Sequence, residues 1–206
     1  MEQSMIPQFP QRGFSASYLE EGAAKKIAAY LRKKTYPILN SQQLLFLCIG
    51  TDRSTGDALG PVVGTKLNEL SFGYPVYGNL DEPIHAVNLK DTIRYIASHY
   101  EDPYIIAVDA SLGRLKNVGV ITVAEGPLRP GSGVNKELSP IGNLHITGVV
   151  NIGGFMEYFV LQNTRLSLVM KMADTITQAI IEAFRFSHPF YTSERVGERR
   201  NGMINL

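Results

Sequence analysis

The chain has 206 residues, 44% of them hydrophobic and 19% charged, and a net charge of +1. That length and balance suit one α/β domain (1–206) that buries its own core, and the near-neutral charge argues against a nucleic-acid binder resting on a broad basic face. The single cysteine, Cys48, excludes a disulfide framework within the chain and fits a reducing cytoplasm; no apolar stretch approaches the length of a membrane span, and MEQSMIPQFPQRG lacks the apolar centre of a secretory signal.

Residues 1–14 read as an irregular arm rich in Pro and Gln. Ser17 and Glu20 have capping-box spacing, which predicts a helix to about Lys34 with Leu19, Ala23, Ile27, Tyr30 and Leu31 on one stripe. Residues 44–49 form a continuous apolar run, the pattern of a strand covered on both faces. Cys48 lies inside it, where a buried inert thiol is expected. Then comes CIGTDRSTGDALGP, residues 48–61. Proline is tolerated only in a helix's first turn, so Pro61 predicts a helix from about Ala58 to Leu70. Residues 77–87 carry a weak strand signal, and Asn88 is placed to cap a helix to about Tyr100 with Leu89, Ile93 and Ile96 inward. Residues 104–108 form a second apolar strand, with Asp109 at its carboxyl end.

Residues 118–124 read as a β-branched strand, and 126–143, rich in Gly, Pro and Ser, as a long loop of the kind that borders functional clefts. Residues 145–150 read as a further strand end or a helix entry, 154–162 as helix, 166–170 as strand and 173–186 as an amphipathic helix. Residues 188–206 read as a mobile polar tail. Strands alternating with helices predict a three-layer α/β sandwich: a mostly parallel twisted sheet with helices on both faces. Ligands in such folds sit beyond the carboxyl ends of strands, which gives Asp57, Asp109 and His145 one shared rim.

A phosphate-binding reading of the 50–57 loop fails. Gly50 to Gly56 is one residue too long for a P-loop, and Asp57 stands where the lysine belongs. A carboxylate reading remains. Alone, Asp57 is an N-cap, Asp109 a strand-end hydrogen-bonding group and His145 a structural histidine. Jointly, two carboxylates and an imidazole suit a divalent metal, or two aspartates sharing a proton suit water activation. Asp52 is expected to bond loop amides. Arg53 and Arg114 are read as substrate-carboxylate contacts or solvated surface charges.

At CIGTDRSTGDALGP, IIAVDASLG and LHITGVVNIGGFMEYFVLQNTRL the chain resembles the YyaC-like family of sporulation proteins, over about 44–184. More distantly it is similar to the spore germination protease and the hydrogenase maturation endopeptidases, chiefly in the first two motifs. The resemblance implies an endopeptidase-like α/β fold. From the germination protease it implies a catalytic pair, Asp57 and Asp109. From the hydrogenase enzymes it implies metal contacts at Asp57, Asp109 and His145, with LHITG a loose match. The chain is much shorter than the germination protease, so a different substrate is expected.

The expected function is a sporulation-associated peptidase that cleaves a specific protein or peptide substrate with its aspartate pair. The alternative is an inactive relative that binds a spore protein, peptide or metal in the same cleft. The expected setting is the cytoplasm of a sporulating bacterial cell or the spore interior, with no nucleic-acid or membrane partner. A divalent metal ion is the candidate cofactor and a homodimer the candidate assembly, the latter only because symmetric pairs are common.

Overall fold

The computed structural model describes residues 13–39, 41–130 and 139–185. Residues 1–12 of the predicted 1–14 arm, the tail at 188–206 and the centre of the 126–143 loop lie outside the described residues. The elements are β1 (Gly13–Ser17), α1 (Ala23–Thr35), β2 (Leu44–Cys48), a short 3-10 turn (Gly56–Ala58) leading into α2 (Leu59–Glu69), β3 (Val76–Tyr77), α3 (Leu89–His99), β4 (Tyr104–Gly113), β5 (Val120–Glu125), β6 (Leu144–Ile152), α4 (Glu157–Gln162) and α5 (Leu166–Phe184).

All six strands join one sheet in the order β1-β5-β6-β4-β2-β3. Pairings β3/β2, β2/β4 and β4/β6 are parallel; β6/β5 and β5/β1 are antiparallel. Every residue of β2 is buried, because alternate side chains enter two separate cores. Leu44, Phe46 and Cys48 pack with α1, α2 and α5, while Leu45 and Leu47 pack with Leu89 and Ile96 of α3. The expected sandwich with helices on both faces is therefore present, with most of the helical mass on one face. Cys48 is fully buried, and desolvation pushes its thiol up to about 12. No helix among the described residues is long and apolar enough to cross a membrane.

Several local expectations are corrected. The segment after 13 pairs with β5 as an edge strand, and Ser17 caps no helix. The Ser17 hydroxyl instead accepts the Leu19 amide, and α1 starts at Ala23 after Gly22, whose φ of 72° suits a residue without a Cβ. Leu19 is consequently exposed. Residues 166–170 are the first turns of α5, not a strand. Val169, Met172, Ala173, Ile176, Ala179, Ile180 and Ala183 recur at helical spacing along one buried face, and that periodicity carries the helix back through 166–170. The weak strand at 77–87 shrinks to Val76–Tyr77, with Ile84 bridging Ile49. The 126–143 loop is pinched at its base, where Leu128 and Ile141 exchange two backbone hydrogen bonds of 2.8 Å.

The closest packing lies between α2 and the end of β2. A Cβ on Gly60 would stand 2.1 Å from the Ile49 carbonyl oxygen. One on Gly64 would stand 1.8 Å from that of Gly78, and one on Gly78, itself at φ +89°, 2.0 Å from that of Cys48. These obstacles are backbone atoms, which cannot swing aside as a side-chain tip does. Gly64→Ala is therefore expected to cost about 3 kcal/mol, the upper end of the usual overpacking range. Urea denaturation checks this as a lowered midpoint at unchanged slope.

Candidate active site

Growth of the sheet changes direction at β2. The chain leaves β2 through α2 on one face to reach β3, then returns through α3 on the other face to reach β4 on the far side of β2. Right-handed crossovers require the two helices to lie on opposite faces. The loop after β2 therefore opens at a topological switch point, the crevice where open α/β sheets place ligands.

Asp57 reaches this crevice because the 50–57 loop is cinched closed. The Gly50 amide donates to the Ile84 carbonyl at 2.8 Å, and the Thr51 amide to the Asp57 carbonyl at 3.2 Å. Gly50 has φ +145°, and a Cβ there would stand 1.9 Å from the Asp57 carbonyl oxygen. Asp57 then sits in the middle of the 3-10 turn Gly56–Ala58 that leads into α2. From the other side, Gly56 presses on α4 and the short link after it: a Cβ on Gly56 would meet Leu161 at 2.7 Å and the Thr164 hydroxyl at 2.9 Å.

Asp109 arrives from β4. The sequence places it at that strand's carboxyl end, but β4 runs on to Gly113 because β6 pairs with it as far as Ile152. Asp109 is mid-strand. It is nevertheless the first β4 residue beyond its pairing with β2, which ends at Cys48 opposite Val108. The open rim is a step in the sheet, and Asp109 stands on it. Its Oδ1 accepts the Ala110 amide at 2.8 Å.

The two carboxyl groups feel one another. The Asp109 carboxyl is raised well above the ordinary carboxylate range, chiefly by burial and secondly by the charge of Asp57, with the Ala110 amide opposing. Asp109 keeps some surface contact with solvent, yet enough protein surrounds it for burial to dominate. Asp57 is also raised by burial, and the nearby Ser54 hydroxyl draws it back. The pair therefore ionises in two steps, with Asp57 the more readily charged partner.

His145 lies on β6 one register step away, opposite Ala107, while Asp109 faces Thr147. Its Nδ1 is 2.9 Å from the Gly126 carbonyl oxygen. Since a carbonyl only accepts, Nδ1 donates, tying the base of the 126–143 loop to the sheet. Among the described residues no three His, Cys, Asp or Glu side chains group closely enough to hold a metal ion. Asp57, Asp109 and His145 are thus not assembled as a ligand set, and the donors present do not fit the expected metal. Asp52 is exposed and accepts the Thr51 hydroxyl at 3.4 Å, while the Thr51 hydroxyl accepts the Arg53 amide at 3.3 Å. Arg53 and Arg114 are exposed.

Ser54 is the group at this site that the sequence reading passed over. It sits in the quoted motif three residues ahead of Asp57, and hydroxyl residues are so common in turns that nothing marked it. Sequence reasoning also passed over the exposed apolar run Phe155, Met156, Tyr158 and Phe159 around the start of α4. That helix contacts the 3-10 turn bearing Asp57.

The sheet, the switch-point loop and the coupled carboxylates define an α/β protein with a candidate acid–base site at its strand ends. Residues 15–179 match the family described as Protein of unknown function (DUF1256), and the chain belongs to that family. The Uncharacterized protein YyaC of Bacillus subtilis (strain 168) is 50% identical to it over 165 residues, covering 80% of each chain. Among solved structures, a NiFe hydrogenase maturation protease HycI from Thermococcus kodakarensis KOD1 aligns with 70% of this chain and 93% of its own, at 17% identity and a TM-score of 0.46.

Raised carboxyls make a signed prediction. A carboxyl whose folded pKa lies above its unfolded value contributes stability at low pH that is lost as pH rises through the folded value. Asp109→Asn removes both the desolvated charge and its repulsion by Asp57. Thermal melts from pH 4 to pH 8 should show the variant more stable than wild type by a few degrees at pH 8, and the difference shrinking toward pH 4.

Proposed function

We propose that this chain is a peptidase that hydrolyses a peptide bond of a specific protein substrate, with Asp57 and Asp109 as its catalytic pair. The observation that carries the reading is the coupling of two desolvated carboxyl groups at the switch point of the sheet. Asp57, the more readily ionised, takes a proton from a water molecule as that water attacks the scissile carbonyl carbon. Asp109, held protonated, donates a hydrogen bond to the carbonyl oxygen as negative charge develops there. When the tetrahedral intermediate collapses, the C–N bond breaks and the leaving amine takes up a proton from the pair. The chemistry needs no metal, and none is assigned to Asp57, Asp109 and His145. The motif resemblance supports the same two aspartates and a setting in the cytoplasm of a sporulating bacterial cell or the spore interior.

A second reading, a binding protein that holds a polypeptide in this crevice without cleaving it, draws support from one observation. Phe155 is 79% exposed and Tyr158 60% exposed beside the carboxylate loop, a concentration of uncovered apolar surface typical of interaction sites.

The test is incubation of the protein with spore extract, identification of a cleaved polypeptide, and kinetics on that substrate. Asp57→Asn and Asp109→Asn should each lower kcat by about 10²–10⁴-fold with the circular dichroism spectrum unchanged. The wild-type rate should fall at low pH as Asp57 protonates and at high pH as Asp109 ionises. Unchanged cleavage in both variants would refute the peptidase; substrate retention without cleavage would favour the binding protein.

A further inference from the structure

Ser54 is 6% exposed, and its hydroxyl has no hydrogen-bond partner of normal geometry among the described residues. A serine at the start of a helical turn ordinarily accepts an amide from the turn ahead. Here that role is taken or unfilled. Thr51 accepts the Arg53 amide, and the 3-10 turn that begins at Gly56 has no side-chain cap. A buried hydroxyl left without a partner is costly, and native proteins keep few of them. The other such group among the described side chains, on Thr177, belongs to α5. The acceptor near Ser54 is the Asp57 carboxylate, close enough for the hydroxyl to oppose the upward pull of burial on it.

We propose that Ser54 is a positioning residue, its buried hydroxyl reserved for the Asp57 carboxylate, which it orients toward the attacking water. The inference rests on the reading of Asp57 and Asp109 as the acting pair. The Ser54 hydroxyl has no other partner to give up for this bond, and the ionised form of Asp57 gains most from it, because charge-assisted hydrogen bonds are the stronger ones. Ser54 thereby helps choose which aspartate carries the charge: Asp57 becomes the base, and Asp109 keeps the proton. The charged groups on the elements packed against the turn are Asp109 on β4, Glu157 on α4, Lys66 and Glu69 on α2, and Lys171, Asp174 and Glu182 on α5, with Asp52 and Arg53 in the loop itself. Several of these are already committed elsewhere. Lys66 pairs with Asp174 at 2.9 Å, and Glu157 accepts the Gly154 amide at 3.0 Å. Asp109 is the one coupled to Asp57.

The experiment is a carboxyl-carbon NMR titration of the full chain labelled at aspartate, in wild type, Ser54→Ala and Ser54→Thr, with Asp57→Asn and Asp109→Asn assigning the two signals. Asp57 should titrate at higher pH in Ser54→Ala and return toward wild type in Ser54→Thr, which keeps the hydroxyl. Ser54→Ala should melt no lower than wild type at low pH, where Asp57 is protonated, and somewhat lower at neutral pH, where the bond to the ionised carboxylate is lost. An unmoved Asp57 titration in Ser54→Ala overturns the inference, and so does a Ser54→Ala chain that fails to fold. The measurement needs no substrate. A moved titration with cleavage indifferent to both aspartates would sink the peptidase and, with it, the positioning role, leaving only the Ser54–Asp57 bond. Cleavage dependent on both aspartates with an unmoved titration would sink the positioning role alone.

Discussion

The approach of α2 to the end of β2, backbone against backbone, is the constraint on which the site depends. Gly60, Gly64 and Gly78 leave no room for a Cβ between the helix, the β2 terminus and the chain entering from β3. The chain must therefore climb from β2 to α2 through a loop with almost no slack. That loop is closed on itself at the Asp57 carbonyl and anchored to Ile84. A carboxylate on such a loop cannot retreat to solvent by moving the backbone. Its desolvation is enforced by packing.

A second consequence follows from the sheet. Because β4 continues past the end of β2, it presents a side chain at the step where one neighbour has stopped and the other, β6, continues. Asp109 occupies that step. Two carboxyl groups carried by different elements thus meet in a partly dry crevice, where like charges and desolvation both resist full ionisation. The single-proton state they favour is the state that acid–base hydrolysis requires. The same arrangement costs stability at neutral pH, because burial and the charge of Asp57 both oppose ionisation of Asp109.

His145 shares its face of the sheet with Asp109. It lies on the Asp109 side of β6, near enough in register to suggest a shared ligand set. Its Nδ1 donates to the Gly126 carbonyl, fastening the start of the long loop. That loop is fastened again by the Leu128–Ile141 bridge, so its described ends belong to the scaffold that borders the crevice.

The sequence by itself determined β2, the helix after it, α3, and the α/β class, because each is written in short-range chemistry. An unbroken apolar run, a proline confined to a first turn and a helical stripe need no distant partner to be read. It also singled out Asp57 and Asp109, since carboxylates beside buried strands are costly without a purpose. What it could not supply came from partners remote in the chain. β1 exists because β5 offers it an edge, and β4 is long because β6 pairs with it to the end. The 166–170 segment is helical because the residues after it continue the same buried face. The coupling of the two aspartates, the bond from His145 to the Gly126 carbonyl and the unpartnered hydroxyl of Ser54 are likewise facts of three-dimensional neighbourhood. Desolvation and unmet hydrogen bonds are properties of surroundings, and only the tertiary structure decides those.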